Sequence, residues 1–160
     1  MKNIKIIVGN IMAFVLLFSI NATVFASESD LNKMEDTSLL IGGNCSEISL
    51  SADARGNILN QGTAKITDNG NSSVNVYGAV FGSVVCDKMI LKLTLQRYSD
   101  GNWYNIRTFS DTAYNTALLS KSYNVQVTRG YYYRVKAACV AQDGSITESK
   151  NPITNGIYIN

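Results

Sequence analysis

Histidine is missing from all 160 residues. Serine–histidine and cysteine–histidine nucleophile pairs are therefore excluded, and with them the usual general bases of acyl transfer. Zinc centres lose their commonest nitrogen ligand. Cysteine occurs three times, at Cys45, Cys86 and Cys139, with no Cys-x-x-Cys spacing. There is no Gly-x-Ser-x-Gly elbow, no Ser-x-x-Lys and no glycine-rich phosphate loop. These absences leave no residue set for a cofactor or a metal centre, so none is expected. Proline occurs once, at Pro152, and only 16% of residues are charged.

The chain does carry a secretory layout at its start. Lys2 and Lys5 precede the apolar run Ile11 to Ser19-Ile20, and Val24-Phe25-Ala26 supplies a small residue for cleavage. Asn21 and Thr23 interrupt the run before the roughly 20 apolar residues that a spanning helix needs. The expectation is a signal peptide over 1–26, contact with the membrane only during export, and a secreted, extracellular product. No cysteine follows the cut, which argues against a lipid-modified N-terminus. Without Lys2 and Lys5 the chain holds 12 basic and 12 acidic residues, so bulk nucleic-acid binding is not expected. The remaining 134 residues (160 − 26) suit one domain. An odd cysteine count leaves at least one thiol unpaired in a monomer, and which pair would bond stays open.

Residues 27–43 read as a flexible acidic linker. Glu28, Asp30, Glu35 and Asp36 face Lys33 alone across 27–36, a net charge of −3. Gly42-Gly43 closes the stretch, as a flexible turn or as a leader-processing signal of small exported antimicrobials. From residue 44 to 160 the pattern is all-β. Turn residues recur at Asn69-Gly70-Asn71, Ser99-Asp100-Gly101-Asn102, Arg129-Gly130 and Asp143-Gly144. Strands are expected near 46–51, 62–68, 73–81, 89–98, 103–110, 120–128, 131–141 and 153–159. Met89, Leu91, Leu93 and Leu95 alternate and mark one buried face. A hairpin with the four-residue loop Ser99 to Asn102 would pair Tyr98 with Trp103 and Leu95 with Ile106. In the later strand, Tyr131, Tyr133, Val135, Ala137 and Cys139 form the apolar side.

The Tyr131-led strand, its glycine turn and the hairpin before it resemble the immunoglobulin-like antiparallel β-sandwich of fibronectin type III modules. That resemblance spans 73–160 and implies a tyrosine corner at Tyr131. A wider resemblance rests on Ser38 to Ile41, Arg55 to Gly62, Leu95 to Tyr98 with Trp103, Gly130 to Val135 and Thr154 to Ile157. These stretches together look like an uncharacterised family of small secreted proteins from clostridial and related Gram-positive bacteria. The family has no assigned activity; the resemblance implies secretion and a β-rich module.

Carboxylate pairs are the remaining route to catalysis. Asp53, Asp68, Asp87, Asp100, Asp111, Asp143 and Glu148 are the candidates, most of them in expected turns, where Asp commonly bonds nearby backbone. Asp68-Asn69-Gly70-Asn71 offers too few oxygens for calcium. The sharper candidate is a binding face. If the strands at 89–98, 103–110 and 131–141 share a sheet, Tyr98, Trp103, Arg107, Tyr132, Arg134 and Lys136 point outward together, beside Lys92, Thr94, Gln96 and Asn105. Exposed rings stack on sugars or anchor proteins, and cations attract phosphate or carboxylate. The expected role is non-catalytic binding of a cell-envelope polymer or a protein partner. The alternatives are a secreted antimicrobial or toxin-like protein, and a carboxylate-dependent hydrolase.

Overall fold

A computed structural model describes residues 40–51 and 58–160. The expected signal peptide, most of the acidic linker and Asp53 lie outside the described residues. Eight strands form one curled, mixed sheet: β1 (Leu40–Ile41), β2 (Cys45–Ser51), β3 (Leu59–Gly70), β4 (Ser73–Ser99), β5 (Asn102–Gln126), β6 (Tyr131–Asp143), β7 (Ile146–Lys150) and β8 (Gly156–Ile159). The path runs β1-β8-β6-β4-β3-β2, with β5 on the other edge of β4 and β7 on β6. Only the β1–β8 pair is parallel among the paired strands.

The expected strands at 73–81 and 89–98 are one continuous strand, and those at 103–110 and 120–128 are another. The pairing breaks between Phe81 and Cys86, where the long hairpin bends. Along one edge of β4, its first half pairs with β3 and its second half with β6. The two halves then close on each other. A side chain at Gly78 would lie 2.5 Å from Leu93 Cδ2. Glycine at 78 is what lets the first half of β4 approach the second. The expected strand at 153–159 shortens to β8, with an isolated bridge from Ile153 to Lys136.

The core lies between these halves. Met89, Leu91, Leu93 and Leu95 are all buried, as their alternation requires, and so are Tyr133, Val135, Ala137, Cys139 and Ala141 of β6. Val74, Val76 and Val80 of the first half of β4, Ala64 and Ile66 of β3, and Ile157 and Ile159 of β8 belong to it too. The expected four-residue loop shortens to two: Ser99 pairs with Asn102, and Asp100 and Gly101, both at positive φ, form the turn that ends β4.

Tyr133, not Tyr131, makes the corner-type bond. Its hydroxyl donates to the Thr128 carbonyl at 2.8 Å, while Tyr131 lies under the Arg97 guanidinium at 4.6 Å. The odd-numbered face is the same for both rings, but only Tyr133 sits deep enough to meet the chain five residues upstream. Tyr133→Phe is expected to lower stability by about 1 kcal/mol in urea denaturation, the cost of one lost hydrogen bond.

The three cysteines form no disulfide: Cys45 is exposed on β2, and Cys86 and Cys139 are buried. Burial pushes the Cys139 thiol from an ordinary 9.0 up to about 11. Burial also raises Cys86 and Tyr133. Above the ordinary thiol value the unfolded chain releases a proton that the folded chain keeps, so stability falls as pH rises through this window. Between about pH 9 and 11 the wild type is expected to lose stability faster than Cys139→Ala, by up to a few kcal/mol. Denaturant midpoints at pH 8, 9, 10 and 11 check it; parallel curves for the two proteins would refute the assignment.

Candidate functional site

Three strands build the outer face of the second half of the sheet. β4 contributes Lys92, Thr94 and Gln96. Their neighbours on β6 are Ala138, Lys136 and Arg134, in that register. On the opposite edge β5 contributes Trp103, paired with Tyr98, and Asn105, paired with Gln96. On β4 and β6 these positions alternate with buried residues, Leu91, Leu93 and Leu95 on the first and Tyr133, Val135, Ala137 and Cys139 on the second, so they belong to the other face.

A polar ladder crosses all three strands. Arg134 Nε donates to Gln96 Oε1 at 2.8 Å, and Gln96 Nε2 donates to Asn105 Oδ1 at 2.8 Å. The amide of Gln96 is thereby fixed in orientation. Trp103 lies across this ladder. The Arg134 guanidinium sits 4.1 Å from its ring centroid, and Tyr98 meets it at 5.2 Å with the rings tilted by 54°. The far edge of the indole reaches β8, where a side chain at Gly156 would come within 2.6 Å of it. Leu40 of β1 packs on the same spot, 3.2 Å away.

Beside the indole is an open recess of about 470 Å³. Lys92, Thr94 and Gln96 of β4 line it, with Trp103, Tyr104 and Asn105 of β5 and Lys136 and Ala138 of β6. Both lysines are exposed, and neither forms an ion pair among the described residues.

The structure thus brings Tyr98, Trp103, Arg134 and Lys136 together. Tyr132 shares their face but pairs with Tyr158, ring centroids 5.1 Å apart, outside the recess. Arg107 does not join them. Leu95 pairs with Arg107 and Gln96 with Asn105, so Ile106 is an extra residue in the ladder. One inserted residue flips the alternation beyond it. Arg107 therefore stands over Phe109 on the opposite face, 5.1 Å from its ring. The expected Leu95–Ile106 pair fails for the same reason, and Ile106 is exposed. Gly156 and Leu40 were not legible as parts of this site; a lone glycine near the end of a chain carries no sign of the ring lying on it.

Several candidate carboxylates among the described residues bond backbone or neighbouring side chains. Glu148 accepts the backbone N–H groups of Ile58 and Leu59. Asp68 accepts from Gly70 N and Asp87 from Gly144 N. Asp111 accepts from the Tyr123 hydroxyl and lies 3.5 Å from Lys121. No group of three metal-ligating side chains occurs among the described residues.

Gly156→Val is expected to push the indole off its seat on β8. Because Trp103 is the chain's only tryptophan, its emission spectrum reports the displacement directly. A red shift is expected, and an unchanged spectrum would contradict the packing described.

Fold and site together define an all-β domain with an aromatic, cationic recess on one sheet face. No protein family matches the chain, and no curated protein matches it. Among solved structures it is similar to Spo0M, a sporulation control protein from Bacillus subtilis, at 12% identity and a TM-score of 0.31. The match covers 74% of this chain and 51% of that one, so the chain spans about half the length of its structural neighbour. A likeness of that size assigns neither a fold family nor a function.

Proposed function

We propose that this is a secreted, non-catalytic β-sandwich protein of immunoglobulin-like type that binds an anionic cell-envelope polymer in the Trp103 recess. One observation carries the reading: an indole, a pair of lysines without ion-pair partners among the described residues, and hydroxyl and amide groups line one recess. A sugar or polyol unit would lie against the indole. Its hydroxyls would meet Thr94, Gln96 and Asn105, and its phosphate or carboxylate would meet Lys92 and Lys136. The corner bond of Tyr133 and the closing of one hairpin onto itself support the sandwich reading.

Retention on immobilised poly(glycerol phosphate), with a neutral glucan as control, tests it. Wild type is expected to be retained on the first and not the second. Trp103→Ala is expected to weaken retention about tenfold or more, the scale of a buried aromatic anchor. Equal retention of the two proteins would remove the recess from the binding site.

A further inference from the structure

The recess occupies only one end of its face. The outward positions of β4 are Lys88, Ile90, Lys92, Thr94, Gln96 and Tyr98, each set beside a partner on β5 and, from Lys88 to Gln96, on β6. None of those partners is Asp or Glu. Asp111 and Asp143 fall on the alternate positions, and Asp87 accepts from Gly144 N. Lys88, Lys92, Lys136 and Arg134 thus share this face with no carboxylate, although the chain carries 14 basic and 12 acidic residues. Arg134 is engaged by Gln96 and Trp103. Lys88, like Lys92 and Lys136, forms no ion pair among the described residues. The far end repeats the chemistry of the recess: Lys88 pairs with Tyr114, which is 65% exposed. The spacing is regular as well. Lys136 stands level with Thr94, so along the strand axis Lys136, Lys92 and Lys88 are separated by about 7 Å and then about 14 Å. These are one and two repeats of an extended polymer with six backbone bonds between its anionic groups, because two extended peptide residues also span six bonds and about 7 Å. Glycerol phosphate joined through its end carbons has this repeat. Single-stranded nucleic acid has it too, but proteins hold it by stacking successive bases on rings. No ring occupies an outward position of these three strands between the Tyr98–Trp103 pair and Tyr114.

We propose that the outer face is one continuous track for a linear polyol phosphate, and that Lys88 and Tyr114 hold the end of the ligand that lies beyond the recess. The inference rests on the recess reading above and gives that ligand a repeat and a length: from Tyr98 to Lys88 the track runs about 34 Å.

Calorimetric titration with a dimer and an octamer of glycerol phosphate tests it. A longer chain gains a statistical advantage even at a short site, so the deciding comparison is between proteins on the same oligomer. Lys88→Gln with Tyr114→Ala is expected to weaken octamer binding about tenfold, the scale of one hydrogen bond to a charged group, and to leave dimer binding unchanged. Neither side chain belongs to the core, so the urea midpoint should stay near that of wild type. Unchanged octamer binding in this variant would overturn the track, and the recess would still stand if Trp103→Ala lost the dimer. Octamer binding that fell in the Lys88 variant but not in Trp103→Ala would support the track and remove the recess. A thymidylate octamer bound more tightly than the glycerol phosphate octamer would overturn the choice of ligand. An octamer that wild type does not bind at all would overturn the track and the recess together.

Discussion

Leu93→Ala is expected to destabilise the domain by about 3–5 kcal/mol, the upper range for emptying a core position that cannot collapse. Leu93 is buried, and it stands where the two halves of the β4–β5 hairpin meet. The site cannot close up, because the backbone at Gly78 is held in register by Ala64 on one side and Lys121 on the other. A cost of this size is a large part of the 5–15 kcal/mol that holds a typical domain together. The same contact supports a sharper experiment. Gly78→Ala alone overpacks the site, since its new methyl would sit 2.5 Å from Leu93 Cδ2; a loss of about 1–3 kcal/mol is expected. Leu93→Val alone leaves a small void. Combined, the added methyl fills the space given up, so the double variant should be more stable than the sum of the single effects by about 1 kcal/mol or more. Strict additivity in chemical denaturation would mean that the two halves of the hairpin do not touch there.

The buried faces were readable because their signal is repeated. Met89 to Leu95 and Tyr133 to Cys139 each offer four alternate apolar positions, and a slip of one residue would expose them all. The hairpin register at Tyr98–Trp103 was readable for a different reason: Asp100-Gly101 permits the two positive-φ residues that a two-residue turn demands. Single-residue irregularities have no such redundancy. Nothing in Asn105-Ile106-Arg107 marks Ile106 as an insertion, yet that insertion alone removes Arg107 from the binding face. The continuity of β4 was not expected: strands near 73–81 and 89–98 read as separate, and the break in pairing between Phe81 and Cys86 is a bend within one strand. β7 carries no apolar alternation, because Ile146 to Lys150 lies at the rim with its side chains exposed or half-buried. In the run Tyr131-Tyr132-Tyr133, two rings share a face, and only depth decides which one bonds to Thr128. The site was legible to the extent that it follows the sheet register. Its seat on Gly156 and its neighbour Leu40 come from β8 and β1, which lie far apart in sequence and meet only in the fold.

Reversing both recess charges, Lys92→Glu with Lys136→Glu, is expected to weaken retention on a polyanion by about 100-fold or more. Hydrogen bonds between charged partners contribute about 1.5–3 kcal/mol each, and 1.4 kcal/mol is tenfold in affinity. Reversal also replaces attraction with repulsion, so the two changes together should exceed the loss from Trp103→Ala. Folding should be unaffected, because both side chains are exposed and lie outside the core. Lys92→Arg with Lys136→Arg separates charge from shape: it keeps both cations and should keep most of the retention. Salt gives an independent measure. A site that neutralises two anionic groups should lose affinity with a log–log slope of about −1.4 to −1.8, and the glutamate variant should show almost no slope. If that variant were retained like wild type, the polymer would be held elsewhere on the molecule. If it lost retention while keeping the wild-type slope, the lysines would act through the shape of the recess and not through their charge.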